Sequence, residues 1–186
     1  MTRYLPNLLT AARLALVPFV AVEVLGGHSG TALVLTFAAG ATDGLDGFLA
    51  RRFGWSSRLG AWLDPLADKA LLVTLFFTLG WVGAFPWWLV FLVFARDAVI
   101  LLMVGAAFAF TEIRDFPPSV WGKISTLIQV GACLGILLLL CSPSRWALQV
   151  SVFLVLATAV GTVWSGVDYV RIGLLRWRKE RAAQMR

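Results

Sequence analysis

The sequence predicts an all-α integral membrane protein, a bundle of about six transmembrane helices with an active-site cavity open to the cytosol. Three observations lead there. Of the 186 residues, 60% are apolar, with nine Trp and thirteen Phe, against about 45–50% apolar in a soluble domain. Apolar runs of about 20 residues, the length a bilayer core demands of a helix, follow one another along the chain. Lysine and arginine gather at alternate connections between those runs.

The runs fall at about 5–26, 31–51, 58–82, 86–110, 118–141 and 147–171. Before the first there is only Arg3, and no small-residue cleavage site follows Leu14–Phe19, so it is expected to be a retained helix rather than a signal peptide. Pro18 and Pro65 lie inside runs, where neighbouring helices can satisfy the freed carbonyls. Pro117-Pro118 precedes the fifth run, a favourable place to start a helix. Cys133 and Cys141 share one predicted helix eight residues apart, or about 12 Å at 1.5 Å per residue, too far to form a disulfide. The connections are short and little chain is left for a soluble domain, so residues 1–186 are expected to form one membrane domain.

The net charge of +6 is placed as in a membrane protein rather than a nucleic-acid binder. Arg51, Arg52 and Arg58 flank the second connection, Arg114 and Lys123 the fourth, and Arg171, Arg176, Arg178, Lys179, Arg181 and Arg186 crowd the C-terminus. The opposite connections hold Arg145 as their only Lys or Arg. This positive-inside pattern puts both termini in the cytosol and agrees with an even number of spans. It predicts a multi-pass protein of the cell (inner) membrane whose basic tail suits an anionic lipid surface.

Periodicity says little in helices that are apolar nearly all round. Charged residues inside spans are informative, because they are costly there and mark function. They are Arg13, Glu23, Asp43, Asp46, Asp64, Asp68, Lys69, Arg96, Asp97, Lys123 and Asp168. Measured from each cytosolic end, Arg13 and Asp43 lie ~12 Å deep, Asp64 ~9 Å and Lys123 ~8 Å, with Arg96 deeper at ~21 Å. Four spans thus bring ionisable groups to one depth, which implies a polar cavity reachable from the cytosol.

Asp46 lies within about 60° of Asp43 around its helix, and Asp68 within about 40° of Asp64. Gly47, Ala50 and Gly60 add small residues beside them, leaving room for a large phosphorylated ligand. Four carboxylates at short range cannot all stay ionised unpaired in a low dielectric. Arg51 and Lys69 are too few to balance them, and an all-carboxylate set suits Mg²⁺ or Mn²⁺. Two such ions would serve a phosphoryl-type displacement. Helix-packing salt bridges or a proton relay would need neither the glycine-lined face nor the arginine one turn beyond it.

Asp43-x2-Asp46-Gly47-x2-Ala50-Arg51-x8-Gly60-x3-Asp64-x3-Asp68, eight fixed positions in 26 residues, resembles the signature of the CDP-alcohol phosphatidyltransferase family. Chain length, six spans and cytosolic termini also resemble that family. The resemblance implies that Asp43, Asp46 and Asp64 hold two metal ions, and that Asp68 completes the site and acts as general base on the acceptor hydroxyl. It implies CDP-lipid contacts for Gly47, Ala50, Arg51 and Gly60. It further implies attack on the β-phosphorus of CDP-diacylglycerol with release of CMP, and a homodimer. Membrane prenyltransferases also pair acidic motifs with Mg²⁺, but on distant helices, whereas here 17 residues separate Asp46 from Asp64. A transporter or scaffold is the non-enzymatic alternative.

Pro6-Asn7-Leu8-Leu9-Thr10-x2-Arg13 resembles the family's N-terminal stretch. Asn7, Thr10 and Arg13 form a polar strip, read either as nucleotide or phosphate contacts or as an interfacial anchor. Gly122-Lys123-x2-Thr126-x2-Gln129 resembles its fifth-span motif, with Lys123 expected to meet the acceptor phosphate or to snorkel. Arg96-Asp97 is read as a substrate contact or a buried brace, Arg114 as a further acceptor contact, and Asp168 as a partner for Arg171 or the fifth span. The stretches Gly60–Lys69 and Gly122–Gln129 are similar to phosphatidylglycerophosphate synthases and to CMP-forming cardiolipin synthases. The former usually carry a second arginine about two turns after the Arg96 position, where this chain has Leu102-Met103-Val104-Gly105, and a glutamate where it has Asp97. Glycerol 3-phosphate, the commoner acceptor, is the first expectation and phosphatidylglycerol the alternative.

Overall fold

A computed structural model describes the backbone of residues 5–53, 58–110, 119–142 and 144–184. Side chains are described at position 8 and over 10–42, 66–106, 119–142 and 144–175. Among the described residues there are six helices and no strand. They are α1 (Leu5–Leu25), α2 (Ser29–Phe53), α3 (Arg58–Trp81), α4 (Trp87–Phe110), α5 (Val120–Cys141) and α6 (Ala147–Gln184). The bounds lie within two residues of the apolar runs except in α6, which continues 13 residues past position 171. A bilayer-length ruler stops at the last apolar residues, whereas Arg, Lys, Glu, Ala and Gln are all strong helix formers.

Glycine makes the two tight turns that join α1 to α2 and α3 to α4. Gly27 has φ of 76°; its N–H donates to the Val24 carbonyl at 3.1 Å and that of His28 to Glu23 at 2.9 Å. Gly83 has φ of 75°, with Gly83 N–H donating to Gly80 at 3.1 Å and Ala84 to Leu79 at 2.8 Å. Both are Schellman caps, in which a left-handed residue satisfies the last carbonyls of a helix. The Phe85 ring then stacks on Phe76 with centroids 5.0 Å apart. At the start of α5, the Ser119 hydroxyl accepts from the Gly122 N–H at 2.9 Å, a side-chain N-cap.

Segments Trp87–Ala106, Val120–Cys141 and Ala147–Leu175 are long and apolar enough to cross a membrane. Helices α1 to α3 are 21, 25 and 24 residues long, also enough for a core of about 30 Å, but they carry ten charged residues against five in those three segments. Every helix leaves large apolar side chains uncovered, such as Phe19, Phe37, Phe77, Phe91, Leu127 and Phe153. Water would penalise such continuous apolar surface; lipid would not. The chain forms two compact units, Met1–Pro86 with Cys133–Ser151, and Trp87–Ala132 with Val152–Arg186. In the first, α1 packs on both α2 and α3, and Val20, Val24, Ala32, Leu75 and Leu79 of these helices are buried. Cys133 and Cys141 are both free thiols.

Candidate active site

Helix α2 carries positions 43, 46, 47, 50 and 51, and α3 carries 60, 64 and 68. The backbone therefore gives each aspartate pair the shared helical face its spacing predicts. The side chains of Asn7, Asp43, Asp46, Gly47, Ala50, Arg51, Gly60 and Asp64 lie outside the described residues, as does all of Arg114. Asp68 is described, and its surroundings are informative.

Arg13 of α1 is fully buried, and its Nη1 donates to Asp68 Oδ1 at 2.8 Å. Its Nε donates to the Ala39 carbonyl of α2 at 3.2 Å, and the same carbonyl accepts from the Thr42 hydroxyl at 2.8 Å. Ala39 sits one turn before Asp43, so a single guanidinium links the two motif helices at the level of the aspartates. The Asp68 side chain keeps 45% of its exposure. Thr10, one turn before Arg13, is also buried. The all-carboxylate donor set, two per helix face on neighbouring turns, fits one or two hard divalent cations.

The second unit gathers a separate polar cluster. Arg96 donates through Nη1 to Asp97 at 2.9 Å and through Nη2 to the Ser165 hydroxyl at 2.5 Å. Its guanidinium lies 5.7 Å from the centroid of the Tyr169 ring, while Nε has no hydrogen-bond partner among the described residues. Tyr169 also accepts from the Ser119 N–H at 3.3 Å. A Cβ at Gly122 would come within 2.8 Å of its ring, which explains a glycine before Lys123. Buried Gln129 donates to Thr162 at 3.1 Å, and Lys123 is exposed. Arg96, Val99, Gly166, Val167, Val170 and Arg171 line a groove of about 420 Å³. Among the described residues Asp168 has no ion pair, so the expected pairing with Arg171 or the fifth span does not form.

Sequence reasoning placed Arg13 at the depth of the aspartates without finding its partner. The available signal was a lone arginine in an apolar helix, which demands a carboxylate. Ser165 and Tyr169 gave no signal, because hydroxyls are inexpensive in a span.

A sequence model of the CDP-alcohol phosphatidyltransferase family matches residues 3–164. The chain belongs to that family. It is an enzyme of phospholipid biosynthesis that transfers a phosphatidyl group from CDP-diacylglycerol. Similar proteins include a Mycobacterium tuberculosis protein named "Probable phosphatidylglycerophosphate synthase", 36% identical over 89% of this chain and 79% of that protein. The Streptomyces coelicolor cardiolipin synthase (CMP-forming) is 37% identical over 89% and 80%. The Shigella flexneri CDP-diacylglycerol–glycerol-3-phosphate 3-phosphatidyltransferase is 34% identical over 89% and 92%.

Proposed function

We propose that the chain transfers the phosphatidyl group of CDP-diacylglycerol to a hydroxyl of glycerol 3-phosphate, with Asp68 as general base. The observation that carries this is Asp68 itself, paired through Oδ1 with buried Arg13 yet almost half exposed. The acceptor hydroxyl gives its proton to the Asp68 carboxylate, and its oxygen bonds to the β-phosphorus. The bond from that phosphorus to the bridging oxygen breaks, and CMP leaves with the oxygen. Asp43, Asp46 and Asp64, with Asp68, would hold two Mg²⁺ or Mn²⁺ ions, which when bound neutralise the pyrophosphate and the leaving phosphate. Asn7, Thr10, Gly47, Ala50, Arg51 and Gly60 serve the CDP-lipid. Lys123, Arg114 and the unpartnered Nε of Arg96 serve the acceptor phosphate. The family match runs through both compact units and supports one membrane domain over residues 1–186. Six spans, a cytosolic cavity and termini, and a homodimer complete the proposal.

Phosphatidylglycerol is the second reading. The groove on the second unit combines two arginines with valine walls, which suits a phosphate monoanion carrying acyl chains. Two nitrogens of Arg96 are already spent on Asp97 and Ser165, leaving less charge for a dianion. The test is CMP release from CDP-diacylglycerol with each acceptor alone. Turnover with glycerol 3-phosphate is expected; turnover with phosphatidylglycerol only would reject the first reading for the second.

A further inference from the structure

We propose that Arg13 is a positioning residue for Asp68, holding one carboxylate oxygen so that the group meets the acceptor hydroxyl in a fixed orientation. This rests on the reading of Asp68 as the base. A guanidinium with no solvent exposure is costly in a membrane span and persists only where its donors are paired. Two of the donors of Arg13 reach different helices, Nε the Ala39 carbonyl of α2 and Nη1 Asp68 of α3. Because the fork is planar and rigid, fixing Nε on one helix fixes where Nη1 can meet the other. The Ala39 carbonyl is itself held by the Thr42 hydroxyl, next to Asp43. The result is a three-helix tie that ends on the Asp68 carboxylate.

A carboxylate on a flexible side chain samples many orientations, and productive proton transfer requires one of them, within about 3 Å of the hydroxyl. Lysine would keep the positive charge at position 13 but has no second nitrogen along its arm to grip Ala39. Arg13→Lys therefore separates neutralisation from orientation.

The experiment is steady-state kinetics of Arg13→Lys beside wild type and Asp68→Asn, with melting temperature in detergent and CDP-diacylglycerol binding measured on the same samples. The expected result is at least a tenfold loss of kcat, with the KM and Kd for CDP-diacylglycerol within twofold and Tm little changed. A kcat within twofold of wild type would overturn the proposal. So would a KM for CDP-diacylglycerol that rises with kcat intact, since Arg13 would then contact the nucleotide lipid. If Arg13→Lys cannot be purified, the same variant assayed in native membranes, as CMP release per protein copy across a range of CDP-diacylglycerol concentrations, reads the same split of kcat from KM. Full turnover by Asp68→Asn would remove the base and this proposal together. An inactive Asp68→Asn beside an unaffected Arg13→Lys would remove the positioning role alone.

Discussion

Two arginine–aspartate pairs at nearly equal distance do different work in the two compact units. Arg13 and Asp68, 55 residues apart in the chain and on different helices, meet at 2.8 Å, and Asp68 keeps nearly half its exposure. Arg96 and Asp97 meet at 2.9 Å as chain neighbours, each with 10% exposure. The second pair is closed at the acid, Asp97 being as buried as Arg96, and its loss costs stability as well as the acceptor contact proposed for Arg96. The first is open at the acid, and its loss costs chemistry. A short ion pair in a span is therefore not one kind of object; what matters is whether the carboxylate remains reachable.

The largest effects that could break this contrast lie on the open side. Asp43→Asn, Asp46→Asn and Asp64→Asn should each abolish CMP release at millimolar Mg²⁺, as should chelation of divalent metal. Persistent turnover in any one of them, or in EDTA, would remove the metal site.

On the closed side, Arg96→Gln removes the cationic partner of a buried ion pair, a change that typically costs about 3–5 kcal/mol. It should show as a lower melting temperature at unchanged CDP-diacylglycerol KM. If Arg13→Lys lowers the melting temperature more than Arg96→Gln does, the two pairs are not divided as described.

Gly122→Ala sharpens the same side, because the new Cβ meets the Tyr169 ring at 2.8 Å. The expected cost is about 1–3 kcal/mol, read by melting, with acceptor KM rising as Lys123 shifts with its helix. The smallest effects belong to the turns. Gly27→Ala and Gly83→Ala force a Cβ into left-handed backbone and should cost about 1–2 kcal/mol each, with kinetics intact.

The helices were legible because apolar runs of bilayer length are hard to mistake. The four aspartates stand out in the sequence because carboxylates in a span are conspicuous. Arg13 was visible as an anomaly, but its partner was not. Hydropathy registers the cost of a buried charge without saying which of four acids, on which helix rotation, offsets it. Arg96 was read as a brace or a contact, and Ser165 and Tyr169, which decide how it is held, look like ordinary residues of a long apolar helix. The helical tail beyond Arg171 was missed because the bilayer, not helix propensity, set the ruler.

The central claim is that Asp68 is the base of phosphatidyl transfer, and Asp68→Asn tests it most directly, because asparagine can still accept from Arg13 and so preserves the three-helix tie. With saturating Mg²⁺, CDP-diacylglycerol and acceptor at neutral pH, this variant should bind CDP-diacylglycerol with near wild-type Kd and release CMP at least a hundredfold more slowly, about 2.7 kcal/mol in the barrier. CMP release at the wild-type rate would contradict the account.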